Sequence, residues 1–156
     1  MGLPTLTMHV RLYGKGFQMS CQREKREQIR YVNWFKNKYL AYNRLISHFA
    51  NGGKRDIKTA ITMKHLGVLP GQPDLLIAVP NLSYHGLFIE MKPAKDMSKS
   101  KEGRKLGSLS AEQKEVFKAL IAQGYRVAVA NGCEEAKAIT SEYLNDVPRL
   151  STSVLD

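Results

Sequence analysis

Two apolar segments, DLLIAVP at 74–80 and GLFIEMK at 86–92, are separated only by NLSYH. A link that short favours an antiparallel hairpin, because a parallel return needs a crossover of a dozen or more residues. With the turn centred on Leu82, Asp74 falls directly opposite Glu90. Directly opposed residues hold their Cβ atoms about 4.5–5.5 Å apart on one face. Lys92 follows Glu90 by two residues and shares that face. The other face carries Leu75, Ile77, Val79, Leu87, Ile89 and Met91 and reads as core. A slip of one residue would send Asp74 and Glu90 to opposite faces, so the reading depends on this register.

Other elements fall around the hairpin. Residues 1–19 carry Pro4, Gly14 and Gly16 about a partly alternating LTMHVRLY, which suggests an arm or edge strand. From Glu24 to Tyr39 no Gly or Pro interrupts, and Ile29, Val32, Phe35 and Tyr39 recur at helical spacing. RLISHFA at 44–50 reads as a short strand closed by the Asn51-Gly52-Gly53 turn. KRDIKTAITMKHLG predicts a second helix with Ile57, Ile61 and Leu66 inward and Gly67 past its end. Residues 93–108 have no periodicity and predict a flexible basic loop. A helix from Ser110 to about Gln123 with Val116, Ala119 and Leu120 as its stripe, the strand YRVAVA and a helix over CEEAKAITSEYL complete the chain. This order predicts a single α/β domain over 1–156, a mixed β-sheet flanked by helices, with its core at about 22–143 and a tail at 144–156.

Charge narrows the function. Twenty-four Lys and Arg against fourteen Asp and Glu leave a net +10 on 156 residues, an excess that suits a polyanionic partner. Basic residues crowd into 23–44 and again into 92–105, where Lys95, Lys99, Lys101, Arg104 and Lys105 are candidate DNA contacts. No basic helix shows one broad apolar face and no apolar run is long enough to span a bilayer, so nucleic acid is favoured over a membrane. Cys21 and Cys133 have no ligand spacing, which implies a reducing interior and no zinc site. With no signal-peptide pattern at the N-terminus, the expected location is the cytoplasm of a bacterial or phage-type host. The histidines at 9, 48, 65 and 85 form no ligand pattern.

Two carboxylates as close as Asp74 and Glu90 repel unless something positive lies between them. A hard divalent cation, Mg²⁺ or Mn²⁺, suits oxygen ligands, and Lys92 beside it can offset charge on a phosphate. An inert Asp–Lys–Glu ion cluster is the competing reading of the same residues. The basic surface favours catalysis.

Pro73-Asp74 followed by Glu90-Met91-Lys92 resembles the PD-(D/E)xK nuclease signature. The chain is more closely similar to the virus-type replication-repair nuclease (VRR-NUC) domain. That similarity also rests on Glu24 and Gln28 ahead of Trp34-Phe35, on Asn51-Gly52-Gly53, on GQPD at 71–74 and on LSAEQ at 109–113, and it spans about 22–132. The resemblance implies a restriction-endonuclease-like fold in which Asp74, Glu90 and the Met91 carbonyl bind the metal and Lys92 is the catalytic lysine. Glu24 matches the acidic residue of the first helix, in preference to Glu27, although a first-turn carboxylate also favours a helix by itself. Gln113 matches a glutamine kept near the site; with Ser110 it also fits an S-x-x-Q capping box. Asn51, Gly52, Gly53 and Arg55 would approach the DNA backbone, although a tight turn alone explains the glycines.

The implied activity is Mg²⁺-dependent hydrolysis of DNA phosphodiesters, selective for structure. A Holliday-junction resolvase acting as a homodimer is the first expectation. A flap, nick or restriction-type nuclease is the alternative within enzymes, and a catalytically inert DNA-binding subunit the alternative outside them.

Overall fold

A computed structural model describes residues 6–49, 57–94 and 109–148, with side chains from residue 22 onward except at 57 and 60. The elements run α1 (Leu6–Lys38), a 3₁₀ turn (Leu40–Tyr42), β1 (Ile46–His48), α2 (Ile57–His65), β2 (Leu75–Ile77), β3 (Leu87–Lys92), α3 (Ala111–Ala122), β4 (Arg126–Asn131) and α4 (Cys133–Asn145). The strands form one sheet in the order β1-β2-β3-β4. β1, β2 and β3 are antiparallel, and β3 and β4 are parallel, joined by the crossover through α3. The sheet is mixed and flanked by helices.

The hairpin has the register expected from its link. Leu75 pairs with Ile89, Leu76 with Phe88 and Ile77 with Leu87. Its turn is pinned by Asn81, whose side-chain oxygen accepts from the backbone of Ser83 and Tyr84 at 2.9 and 2.8 Å, an Asx-type closure. Leu75, Ile77, Val79, Leu87, Ile89 and Met91 are all buried. Against them pack Tyr31 and Phe35 of α1 and Ala136 and Tyr143 of α4. Polar groups inside this layer are paired: Tyr31 Oη meets Thr140 Oγ1 at 2.6 Å, and the Tyr143 hydroxyl donates to the Val79 carbonyl at 2.7 Å.

Four expectations about the helices are corrected. Residues 6–19 are no edge strand, since α1 is already helical from Leu6 and runs through Gly14 and Gly16. Leu6, Val10, Tyr13 and Phe17 recur every three or four residues, and this helical period outweighs two internal glycines at about 1 kcal/mol each. In the described part of α1, Ile29 is exposed, and Tyr31 with Phe35 forms the buried pair, supported by Val32 and Tyr39. On α2, Ile61 and the following Leu66 are exposed rather than inward, because α2 packs against little of the sheet; the Ile57 side chain lies outside the described residues. On α3 the buried residue is Phe117, whereas Ala119 faces solvent.

Candidate active site

The polar face of the hairpin ends where β2 has not yet begun and β3 is finishing. One more step of the observed register sets Asp74 opposite Glu90, and a second would pair Pro73 with Met91. Pro73, fully buried, has no N–H to leave unpaired. The Asp74 side chain supplies the acceptor that the ladder needs there: its Oδ2 accepts from the Met91 amide at 2.8 Å. The Asp74 carbonyl meanwhile accepts from the Phe49 amide at 2.9 Å, so the residue is held by both neighbouring strands.

Glu90 is 4% exposed. Its Oε1 accepts from Lys92 Nζ at 2.7 Å and from Gln113 Nε2 at 2.6 Å. Its Oε2 is buried and has no hydrogen-bond partner among the described residues, a state that normally costs about 1–3 kcal/mol or more. Gln113 does double duty. Its backbone N–H donates to the Ser110 hydroxyl oxygen, its side-chain oxygen accepts from the Ser110 backbone N–H, and its side-chain nitrogen donates to Glu90. The capping box therefore fixes the rotamer that reaches the site.

Glu24 enters from α1. Glu24, Gln28, Tyr31 and Phe35 follow at intervals of four, three and four, which places them on one helical stripe. The C-terminal half of that stripe enters the core and the N-terminal half overhangs the sheet end. Burial, then the neighbouring Asp74 charge, raises the Glu24 carboxyl above the ordinary range, with Lys92 opposing and Glu90 adding. Burial also raises Asp74, against the Met91 amide and Lys92. Glu90 is raised by burial and by Asp74, against Lys92 and Gln113. All three carboxylates resist full ionisation together. Glu27 has another task, since its Oε2 accepts from the Cys133 amide at 2.9 Å and caps α4, whose N-cap Gly132 has no side chain to do so.

The sequence profile of the VRR-NUC domain matches residues 14–134. The chain belongs to the VRR-NUC domain family. A solved structure described as a VRR_NUC domain protein is 26% identical, with a TM-score of 0.61, and the match covers 80% of this chain and 90% of that one. A search of curated proteins returns no match. VRR-NUC is a nuclease family, and the α/β sheet flanked by helices agrees with its fold.

In this VRR-NUC chain the structure brings Asp74, Glu90, Lys92, Gln113 and Glu24 to one end of the sheet. Asn51, Gly52, Gly53, Arg55, Lys95, Lys99, Lys101, Arg104 and Lys105 lie outside the described residues. Among the described residues no three His, Cys, Asp or Glu side chains sit close enough together to hold a metal ion. The buried, unpartnered Oε2 of Glu90 nonetheless fits a cation, as does a donor set of hard carboxylate oxygens. Among the described residues no helix is long and apolar enough to cross a membrane.

His48 is the residue that sequence reasoning set aside. Its Nδ1 lies 2.9 Å from the Asp74 carbonyl and 2.9 Å from the Gln28 amide. A carbonyl only accepts, so the hydrogen belongs on Nδ1, and Gln28 then best turns its oxygen toward it. No local spacing announces this contact, because it joins residues from α1, β1 and the start of β2.

Proposed function

We propose that this chain is an Mg²⁺- or Mn²⁺-dependent endodeoxyribonuclease that cuts branched DNA as a homodimer, in the manner of a Holliday-junction resolvase. The observation that carries the reading is the buried Glu90 carboxylate, across the hairpin from Asp74, with one oxygen held by Lys92 and Gln113 and the other unpartnered among the described residues. Asp74, Glu90 and the Met91 carbonyl would hold the cation, with Glu24 approaching it directly or through water, and the cation would supply Lewis-acid polarisation of the phosphate and of a water. Lys92 offsets the charge that develops on the phosphate as the water oxygen bonds to phosphorus and the ester P–O bond breaks. Gln113 keeps Glu90 aimed, and the Met91 amide does the same for Asp74.

Ile61, Leu66 and Leu69 are exposed apolar side chains on and just after α2, and this surface supports an assembly of two copies. A C₂ pair would set two sites against two opposed strands. Sedimentation of the purified chain at micromolar concentration is expected to give a dimer. A monomer that still resolves junctions symmetrically would remove this part of the proposal.

The 2.7 Å Lys92–Glu90 ion pair also suits a second reading, an inert DNA-binding subunit. Four-way junction, flap, nicked and linear duplex DNAs incubated in Mg²⁺ and in EDTA separate the possibilities. The expected result is cleavage only with the metal, fastest on the junction, and loss of on the order of a thousandfold in Asp74→Ala and Lys92→Ala. Preference for the flap or linear duplex would replace the resolvase with the corresponding nuclease. Equal rates in Asp74→Ala and the wild type would sink the catalytic reading.

A further inference from the structure

The face of α1 beside the Glu24 stripe has a different character. Arg23, Arg26 and Arg30 recur at intervals of three and four, so they form one row along the helix. With Glu27 and Ala94 they line a cleft of about 320 Å³. Arg30 is engaged there, 3.0 Å from Glu27 and 3.6 Å from Glu134. Arg23 and Arg26 are exposed and form no ion pair with a described residue. The one acid in the cleft is largely spent: Glu27 holds the Cys133 amide with one oxygen and Arg30 with the other. Three guanidinium groups against two carboxylates, Glu27 and the more distant Glu134, both engaged by Arg30, leave a net positive cleft with Arg23 and Arg26 as its unpaired charges among the described residues.

Its position relates it to the site. Ala94 is two residues beyond Lys92, about 7 Å along an extended chain. Arg23 is the neighbour of Glu24 on the helix, so the two side chains diverge from adjacent positions, one to the site and one to the cleft. From Arg23 to Arg30 the row spans about 10 Å, which matches about three phosphates of one DNA strand at about 3.4 Å of axial rise each. Planar guanidinium forks suit phosphate oxygens better than point charges do.

We propose that this arginine row binds the backbone phosphates of the DNA strand that is cut, a few nucleotides from the scissile bond. The identity of the strand rests on the nuclease reading; the affinity for DNA backbone does not. The row sets the direction in which the strand leaves the site, along α1 and past Ala94.

Binding of a fluorescein-labelled duplex is measured by anisotropy in EDTA across a range of salt, with circular dichroism as the check on folding. The double variant Arg23→Ala/Arg26→Ala is expected to raise Kd about tenfold or more and to lower the slope of log K against log salt by about two. The control Lys36→Ala/Lys118→Ala removes the same charge elsewhere and is expected to change Kd by less than about twofold. An unchanged salt slope in the arginine variant, or an equal loss in the control, overturns the proposal. Cleavage by the wild type in Mg²⁺ is scored separately. An arginine-dependent duplex affinity without cleavage leaves this site standing and removes the nuclease reading. Cleavage with an arginine-independent affinity does the reverse, and a wild type with no duplex affinity removes both.

Discussion

Glu90→Gln is expected to reduce cleavage by on the order of a thousandfold or more while making the protein more stable. The loss follows from removing one of the two hairpin carboxylates on which the proposed chemistry depends. The gain follows from burial. The Glu90 carboxyl is raised above its ordinary range by desolvation and by the Asp74 charge, so ionising it costs the folded state more than the unfolded one. A carboxyl raised in the folded state binds its proton more tightly there, and stability is lost as pH climbs from the unfolded value through the folded one. The glutamine variant has no proton to lose, and its oxygen still accepts from Lys92 and Gln113. Above that window the variant is expected to be more stable by on the order of 1 kcal/mol, a few degrees in Tm. Paired thermal melts in EDTA across acid to neutral pH test this. A variant less stable than the wild type at neutral pH would show that the Lys92 ion pair outweighs the burial cost.

Gly71→Ala is expected to be the most damaging single-methyl change near the site. Gly71 has φ +86°, and an added Cβ would meet the backbone carbon and oxygen of Glu112 at 2.8 Å and the Gln113 nitrogen at 3.0 Å. The left-handed backbone costs an alanine about 1–2 kcal/mol, and forcing the methyl against backbone adds about 1–3 kcal/mol. Because the collision is with the first turn of α3, relief by movement would carry Gln113 away from Glu90. Gly67→Ala provides the comparison, since Gly67 has φ +89° with nothing within 4 Å of the added carbon. Urea unfolding of both is expected to show the backbone cost in each and the larger loss only at Gly71, which also slows cleavage. Equal losses would mean that the Gly71–α3 contact contributes nothing.

Some of the site was legible because it is written locally. Asp74, Glu90 and Lys92 are tied by a short hairpin whose side-chain period is two, so one register decides all three. Gln113 was legible as a site candidate only through the family resemblance; the capping box was the competing reading, and in the structure the residue does both. The α1 stripe was partly legible: Phe35 could be placed, but Tyr31 and Ile29 exchange roles because the helix rolls to seat Tyr31 on Thr140. The α2 stripe misled for the opposite reason. Its apolar residues have helical spacing, but spacing does not say whether a partner surface lies within the same chain. The exposed Ile61 and Leu66 show that none of the described sheet covers them.

From β1 onward the sequence alone determined the alternation of strands and helices, the hairpin register and the pairing of Asp74 with Glu90, all consequences of short-range periodicity and a short link. Tertiary structure decided which acid of α1 faces the site and which caps α4. The family resemblance preferred Glu24 over Glu27, and the roll of α1 against α4 sets Glu24 near the hairpin carboxylates and Glu27 at the start of α4. The same packing brings His48 to the Asp74 carbonyl and leaves one oxygen of Glu90 buried without a partner among the described residues. Contacts of that kind join elements far apart in the chain, and no period along the sequence encodes them.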